Sequence, residues 1–410
     1  MSVKPIRIGV LSLSSPDWTA GASFTRVLLG ALARRADPVR ERVVLIASDD
    51  SVPAPPGVET IRVPAADLSL PGKARRQLLR VRDRYPALPG EWPLRSRLHI
   101  IEPSDPIHLA KLAGVDVVLP ALRGMPRGIG IGQVGWIPDF QHRHLPQFFN
   151  REEIAQRDAS YRDIAERSDR VILSSHDVAS HFAAIYPREA HKVRVASFPS
   201  LFTFDPPRGD VASAREAPLR YGLPEKFALV INQLWAHKNH DVVIDAVARA
   251  RDRGVRVPVA MIGAPFDYRD RRGRYLSSLL QRIARLDLGA DVRLLGEVPF
   301  ADLVGLLRCA AVVVQPSRWE GWSTTVQDAK ALGRPHLCSD LPVLREQAPD
   351  ALGFFGCDDP DALASLLVDR WASLAPGPDP AGEAEGFRIE SAAQTRYGDV
   401  ILAACREAAG

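Results

Sequence analysis

Cysteine, long apolar runs and net charge are all scarce in this sequence of 410 residues. Its four cysteines are scattered and no two have CxxC spacing, which indicates a reduced, cytoplasmic protein with buried thiols. No apolar run approaches the roughly 20 residues of a membrane span, and polar residues interrupt the first strand too soon for a signal peptide. A formal net charge of +4 does not specifically indicate a nucleic-acid partner. We therefore expect a soluble globular protein.

Short β-branched runs alternate with helical patterns, which predicts parallel sheets with crossover helices. The expected class is α/β, with two doubly wound Rossmann-like domains that face an interdomain cleft. We place the domains at residues 1–205 and 206–387, joined by a proline-rich linker within 199–222, and a final helix at 388–410 that packs back on the first domain. Strands are expected at 6–13, 43–47, 115–119, 132–137, 170–174, 192–196, 228–232, 257–262, 292–295, 311–315 and 335–339.

Residues 315–335 carry the strongest functional signal. An apolar strand ends at Gln315, a short loop holds Glu320 and Gly321, and a helix follows until Gly333. A loop that runs from the carboxyl end of a strand into a helix N-terminus presents unpaired N–H groups and the positive end of the helix dipole. This combination binds phosphate.

Hydroxyl and carboxyl groups surround the same helix start. Ser323, Thr324 and Thr325 offer hydroxyl caps, and Thr325 with Asp328 has the spacing of a capping box. Glu320 and Asp328 are too few ligands for a metal cage, but carboxylates suit sugar hydroxyls. The segment predicts a site for a phosphorylated, hydroxyl-rich ligand.

A second turn of this kind opens the second half. The chain runs from a strand through Asn232, Gln233 and Lys238 into a helix, with Asn239 as the expected N-cap and Gly254 as its end. A lysine just before a helix N-terminus is repelled by the dipole unless an anion lies between them. A solvated lysine is the structural alternative for this segment alone.

Loops of the first half are less specific. The loop from residue 135 to 146 follows a strand and holds Asp139, His142 and His144, whose histidines could be structural or catalytic. Gly21, in the first strand-to-helix loop, could let a ligand approach the backbone.

Three other patterns have simpler explanations. Glycines at 128–132 precede a strand instead of following one, so a dinucleotide fingerprint is rejected. Asp359 and Pro360 have the order of a helix N-cap and first position, so no metal is expected there. The basic stretch 73–84 is either a solvated helix face or a contact with an anionic membrane surface.

The second half resembles retaining glycosyltransferases of family 4, which have the GT-B fold. Residues 320–333 look like that family's acid–x7–acid signature, residues 339–346 match the segment that follows it, and residues 295–299 look like the turn beside the nucleotide base. Lys238 stands where the family has a diphosphate-binding lysine. A loop at 136–149 looks like one of polysaccharide-assembly members.

The resemblance implies roles for particular residues. Lys238 would hold the diphosphate, Glu320 the transferring sugar, Asp328 the ribose and Val298 the base, and the backbone of residues 322–324 the sugar and phosphates. The implied donor-binding set is Gly21, Asn232, Gln233, Lys238, Val298, Glu320, Gly321, Trp322, Ser323, Thr324 and Asp328, and the implied catalytic set is Glu320, Lys238, Asp139 and His142.

The sequence also departs from the family pattern. Asp328 replaces the usual glutamate, the arginine common before the lysine is replaced around Asn232 and Gln233, and the family's His-Asp pair reads Pro138-Asp139, with His142 or His144 as candidate substitutes.

The predicted activity is metal-independent transfer of a sugar, with retention, from a nucleotide diphosphate sugar to a hydroxyl of a glycan or lipid-linked glycan. No cofactor is expected beyond the donor, and no nucleic acid. A GT-B epimerase or phosphorylase and a non-catalytic nucleotide-sugar-binding subunit remain alternatives. The protein is expected in the cytoplasm, with residues 73–84 as an optional contact to the inner membrane face.

Overall fold

The computed structural model describes residues 4–13, 19–63, 110–111, 113–121, 130–203, 211–267, 269–270 and 272–410. Within them the strands of the first half are β1 Ile6–Leu11, β2 Glu41–Ala47, β3 Glu59–Arg62, β4 Val117–Ala121, β5 Gly132–Trp136, β6 Arg170–Leu173 and β7 Val193–Val195. They form a wholly parallel sheet of order β3-β2-β1-β4-β5-β6-β7.

The second half builds another parallel sheet, of order β10-β9-β8-β11-β12-β13. Its described strands are β8 Ala228–Ile231, β9 Val259–Ile262, β10 Val292–Gly296, β11 Val312–Gln315, β12 His336–Ser339 and β13 Gly353–Phe355. The central strands are almost wholly buried, as expected for parallel strands covered by helices on both faces. The α/β class with two doubly wound domains is confirmed.

Helices cover both sheets. In the described part of the chain they are α1 Thr19–Arg35, α2 Gln141–His144, α3 Arg151–Arg167, α4 His176–Ile185, α5 Val211–Arg220, α6 His240–Asp252, α7 Arg274–Arg285, α8 Phe300–Cys309, α9 Thr324–Ala331, α10 Pro342–Gln347, α11 Pro360–Trp371 and α12 Pro380–Ala409. Asp359 accepts a hydrogen bond from the Ala362 N–H, which confirms its predicted N-cap role. None of these helices combines the length and the apolar character that crossing a membrane requires.

Two strands were missed and one linker was drawn too long. Three of the four residues of β3 are exposed, and β13 is only three residues long. Neither strand therefore has a clear apolar pattern. Residues 211–220, expected within the linker, form α5, whose Ala214 and Ala217 pack against α8.

The C-terminal helix α12 starts at Pro380, eight residues before the predicted start, because Asp379 caps it and Pro380 occupies its first position. It contacts both halves of the chain. Its Gly398 lies against Ala31 of α1, and its Gly386 lies against the backbone of Lys330 and Ala331 in α9. The helix therefore bridges the two halves of the chain.

Candidate active site

Two strand-end loops of the second half lie side by side because β8 and β11 are neighbours in a parallel sheet. The Arg318 N–H donates to the His237 carbonyl (2.8 Å), which joins the loops through their backbones. Lys238 Nζ donates to Glu320 Oε1 at 2.6 Å, and the two side chains are 17% and 9% exposed. The structure thus brings together the two residues on which the functional prediction depends.

Two amides extend this contact into a buried network. Gln315 Nε2 donates to Glu320 Oε1 (2.8 Å) and to Ser317 Oγ (2.9 Å), and Asn232 Nδ2 donates to Gln315 Oε1 (3.1 Å). Glu320 is therefore oriented by one cation and one amide. Gln315 was missed as a site residue, although a polar residue that ends an apolar strand at the sheet's carboxyl edge is a readable signal. Gln233 follows Asn232 in the same turn, partly buried.

The start of α6 differs from the prediction. Asn239 has a left-handed backbone (φ 59°) and makes no capping hydrogen bond; its Nδ2 instead donates to the carbonyls of Pro316 (3.0 Å) and Cys357 (2.8 Å). The His240 N–H donates to the Tyr275 hydroxyl (2.9 Å). Asn239 does occupy the predicted N-cap position, but its side chain does not cap the helix, because its amide instead joins this turn to the loops of Pro316 and Cys357.

The start of α9 also corrects the prediction. Ser323 is the N-cap and accepts from the Val326 N–H, whereas Thr325 Oγ1 donates to the Ile231 carbonyl at 2.6 Å. The capping box of Thr325 and Asp328 is therefore wrong, since Thr325 is the second residue of the helix and its hydroxyl secures the helix to β8.

Backbone donors at this helix start are partly in use. The Ser323 N–H donates to Gln347 Oε1 (3.0 Å), and Gln347 Nε2 donates back to the Ser323 carbonyl (2.7 Å). For the N–H groups of Trp322 and Thr324, no acceptor is found in the described part of the chain. Those two are among the N–H donors at this helix start that remain for an anion.

Asp328 faces the junction of the halves. It accepts a hydrogen bond from Ser200 Oγ (2.6 Å), and burial, with a smaller contribution from the nearby Glu390, raises the pKa of its carboxyl to about 7. Glu390, from α12, accepts from the Ser200 N–H (3.0 Å), and burial raises its pKa as well. Val298 lies partly buried after β10, where it packs against the apolar cluster that contains Leu229 and Val313.

Asp139 of the first half lies against the Glu320 loop. A Cβ atom at Gly321 would lie 2.2 Å from the Pro138 carbonyl oxygen and 3.0 Å from Asp139 Cβ, so this close approach requires glycine. The Gln141 N–H donates to Asp139 Oδ1 (2.8 Å). Burial raises the pKa of Asp139, and the neighbouring Glu320 acts in the same direction.

The two histidines of this loop separate. His142 is buried, its Nε2 lies 2.9 Å from Asp158 Oδ1, and its ring meets Tyr161 edge-on; burial lowers its pKa. His144 instead stacks on Trp319 of the second half, with ring centroids 4.2 Å apart. Of the two candidate substitutes, His144 is the one that contacts the Glu320 loop.

Gly21 and the basic stretch are the remaining predicted positions. Gly21 lies in the first turn of α1, where its carbonyl accepts from Thr25 Oγ1 (2.9 Å). The rest of its loop, residues 14–18, and the basic stretch 73–84 lie outside the described residues. The described residues contain no group of three His, Cys, Asp or Glu side chains that could hold a metal ion.

Comparisons with known proteins identify the proteins that this chain resembles. Residues 216–369 match the family model of glycosyl transferases group 1. A D-inositol 3-phosphate glycosyltransferase of Nocardia farcinica is 28% identical over 262 residues, which cover 58% of this chain and 57% of that protein. The chain thus spans a little over half the length of this curated relative.

Solved structures match nearly the whole chain. Anabaena HepE, in complex with UDP and glucose, superposes with a TM-score of 0.62 at 15% identity and covers 97% of this chain and 98% of its own. Sucrose-phosphate synthase from Thermosynechococcus elongatus gives 0.60 at 15% identity and covers 97% of both chains. The chain therefore has the GT-B fold, and its residues 216–369 are similar to the group 1 glycosyl transferases.

Proposed function

We propose that this protein is a retaining glycosyltransferase that moves a sugar from a nucleotide diphosphate sugar to a hydroxyl acceptor. One observation carries the proposal: Lys238 and Glu320 meet at 2.6 Å beside the start of α9, facing Asp139 of the other half. The group 1 family match supports the reaction class, and the complex of HepE with UDP and glucose makes a UDP-sugar the first donor to test.

The donor would be held at the junction of both strand-end loops. The Lys238 ammonium and the N–H groups of Trp322 and Thr324 would bind the diphosphate, and the N-terminus of α9 adds a favourable dipole. Glu320, released from part of its ion pair, would accept hydroxyls of the transferring sugar. Trp319 Nε1 is a buried donor without a partner among the described residues, and it is adjacent in sequence to Glu320. Asp328 would bind the ribose and Val298 would contact the base.

In the reaction, the bond between the anomeric carbon and the diphosphate oxygen breaks while the acceptor oxygen bonds to the same face of that carbon. The acceptor's proton passes to the departing diphosphate. Negative charge therefore grows on the diphosphate, where Lys238 and fixed N–H dipoles stabilise it without reorganising. Asp139, held against Gly321, would orient the sugar from the opposite wall. The proposed step requires no metal ion.

The acceptor is proposed to be a glycan or a lipid-linked glycan, which the protein meets in the cytoplasm. A contact of residues 73–84 with an anionic membrane would bring the enzyme to a lipid-linked acceptor, and it stays a prediction. Binding to vesicles with and without anionic lipid, compared at low and high salt, tests it.

The experiment starts with thermal shifts against UDP-, GDP-, dTDP- and ADP-sugars, because a ligand that binds the native state raises its stability. The donor so found is then assayed with glycan acceptors in the presence of a chelator, and the anomeric configuration of the product is read by NMR. The proposal is supported if the product retains the anomeric configuration of the donor and the chelator leaves the rate unchanged. An inverted product, or conversion of the donor without any acceptor, overturns it in favour of an inverting enzyme or an epimerase.

Two variants locate the reaction at the described contact. Lys238→Ala loses a charge-assisted contact worth roughly 1.5–3 kcal/mol, so kcat/KM should fall by at least about tenfold. Glu320→Gln should lower kcat more than it weakens nucleotide binding, because the carboxylate faces the sugar. Full activity in both variants would remove this contact from the reaction, and slow donor hydrolysis that disappears in Glu320→Gln would exclude a non-catalytic subunit.

A further inference from the structure

A cavity of about 620 Å³ opens between the two halves, next to the Lys238 turn. The first half contributes Phe148, Phe149 and Asn150, from the loop before α3. The second half contributes Arg269, Arg272 and Arg274, from the loop between β9 and α7 and the start of that helix. Sites for small molecules commonly enclose about 300–1,000 Å³, so the volume suits a sugar-sized ligand.

Positive charge dominates this cavity, which we call the arginine pocket. Its lining holds three arginines and one aspartate, Asp270, a net formal charge of +2. Asp270 is already engaged, since it accepts from the Tyr275 N–H (2.7 Å) and from Arg274 Nε (3.3 Å). Arg272 is exposed, and no hydrogen bond or ion pair involves it in the described part of the chain. Its guanidinium is thus available to a ligand.

The third arginine is fixed in place. Arg269 pairs with Asp267 (Nε to Oδ1, 2.9 Å), and its guanidinium lies over the rings of Phe149 (5.2 Å) and Trp235 (4.7 Å). Phe149 comes from the first half and Trp235 from the second, so this arginine joins both walls of the pocket. Planar guanidinium groups bind phosphates and carboxylates through paired hydrogen bonds.

The pocket adjoins the proposed donor site but uses other residues. Arg269 Nη2 lies 3.5 Å from His237 Nδ1, and the Phe148 ring centroid lies 6.3 Å from that of His237. His237 directly precedes Lys238, whose ammonium points to Glu320. A ligand in the pocket would therefore lie beside a donor sugar bound at Glu320.

We propose that the arginine pocket binds an anionic group, a phosphate ester or a carboxylate, on the acceptor substrate. The inference rests on the proposed function in that it names the ligand as the acceptor. An acceptor anchored by its anion at Arg272 and Arg274 would present its hydroxyl toward the Lys238–Glu320 contact. A neutral sugar would lack this anchor.

Isothermal titration of the full chain with glucose 6-phosphate, glucuronate and glucose tests the pocket. The double variant Arg272→Gln/Arg274→Gln removes its exposed charges, and Arg285→Gln is the matched control, because that arginine is exposed at the other end of the same helix. We expect an anionic sugar to bind, glucose not to bind, and the double variant to weaken binding by about tenfold or more. Whichever anionic sugar binds tighter identifies a phosphate or a carboxylate.

Several outcomes would overturn the pocket: no binding of either anionic sugar at millimolar concentration, equal binding by the double variant and wild type, or equal loss in Arg285→Gln. Loss of sugar binding in Lys238→Ala but not in the double variant would place the anion in the donor site and also overturn it. Nucleotide titrations are run in parallel. If no nucleotide diphosphate binds while the double variant still loses the anionic sugar, the pocket stands and the proposed function fails.

Discussion

The strand-end loops of the two halves treat their polar side chains differently. In the second half, Asn232, Lys238, Gln315 and Glu320 belong to one connected network. In the first half, two histidines of one short loop separate, so that one is buried in its own domain and the other crosses to the partner domain. Neighbouring strands of one parallel sheet bring their loops together directly, whereas contacts between the halves depend on how two separate domains pack.

The largest expected effect comes from Gly321, where the loops of the two halves are in close contact. Gly321→Ala would place a Cβ atom 2.2 Å from the Pro138 carbonyl oxygen, so the two loops must move apart. Each half has its own core, so the variant should still fold. We expect kcat/KM to fall by roughly ten- to a hundredfold, because a displacement of catalytic groups by about 1 Å can cost this much activity. Steady-state kinetics and a melting curve measure both effects.

Gly289→Ala provides the control, because a Cβ there meets no atom within 4 Å. It should leave activity and melting temperature unchanged. Wild-type activity in Gly321→Ala would show that the approach of Asp139 to the Glu320 loop plays no part in turnover, and the two halves would then have to be considered separately.

Asp328 also tests the contact between the halves, because it belongs to the second half and accepts a hydrogen bond from Ser200 of the first half. Its folded-state pKa of about 7 lies above the ordinary aspartate value of 3.8. Its protonated form is therefore favoured by folding. The contribution to stability is complete below about pH 4, is lost as pH rises towards 7, and then stays constant. We expect the loss to be on the order of 2–4 kcal/mol, given 1.36 kcal/mol per pKa unit.

Asp328→Asn should flatten this part of the stability curve, so that the variant is more stable than wild type at pH 8 and similar at pH 4. Chemical denaturation across that range measures the difference. Asp340→Asn is the comparison, since its exposed carboxylate pairs with Arg345 (Nη2 to Oδ2, 2.8 Å), which lowers its pKa, and its removal should cost a little stability at neutral pH. Parallel curves for Asp328→Asn and wild type would contradict the buried, protonated state.

The sequence was sufficient for the architecture and for the linear part of the site. Apolar runs and their spacing predicted, to within a few residues, eleven of the thirteen strands in the described part of the chain, and two similar strand-to-helix turns together with the family resemblance singled out Lys238 and Glu320. The missed strands, β3 and β13, are short or exposed, and so their patterns are weak.

What the sequence could not provide were partners that depend on packing between distant segments. Thr325 and Asp328 have the spacing of a capping box, yet Ile231 and Ser200 take their hydrogen bonds. Asn239 stands at a helix start but bonds to carbonyls 77 and 118 residues away. A local motif predicts one hydrogen-bond partner for a side chain, but a distant segment that packs against it can provide a different partner.

The two histidines of the first-half loop give the smallest expected effect in the reaction and a clear contrast. His144→Ala removes the stack on Trp319 and should raise donor KM by a few-fold with little change in melting temperature. His142→Ala removes a buried ring and its bond to Asp158, so it should lower the free energy of unfolding by roughly 2–3 kcal/mol. Kinetics and denaturation of both variants, measured side by side, give the comparison.

Acid should act through the same stack. Burial and the neighbouring His181 lower the pKa of His144, so its neutral form is favoured in the folded protein. The contribution of His144 to the stability of the folded protein is complete above the ordinary histidine pKa of 6.5. It is lost as pH falls through the lowered pKa. Wild type should therefore lose donor affinity at acidic pH, and His144→Ala should lose less. The opposite result would be that His142→Ala reduces kcat and abolishes the loss of donor affinity at acidic pH, while His144→Ala does neither. The buried His142 would then be the histidine that takes part in the reaction, and the roles assigned to the two histidines would be reversed.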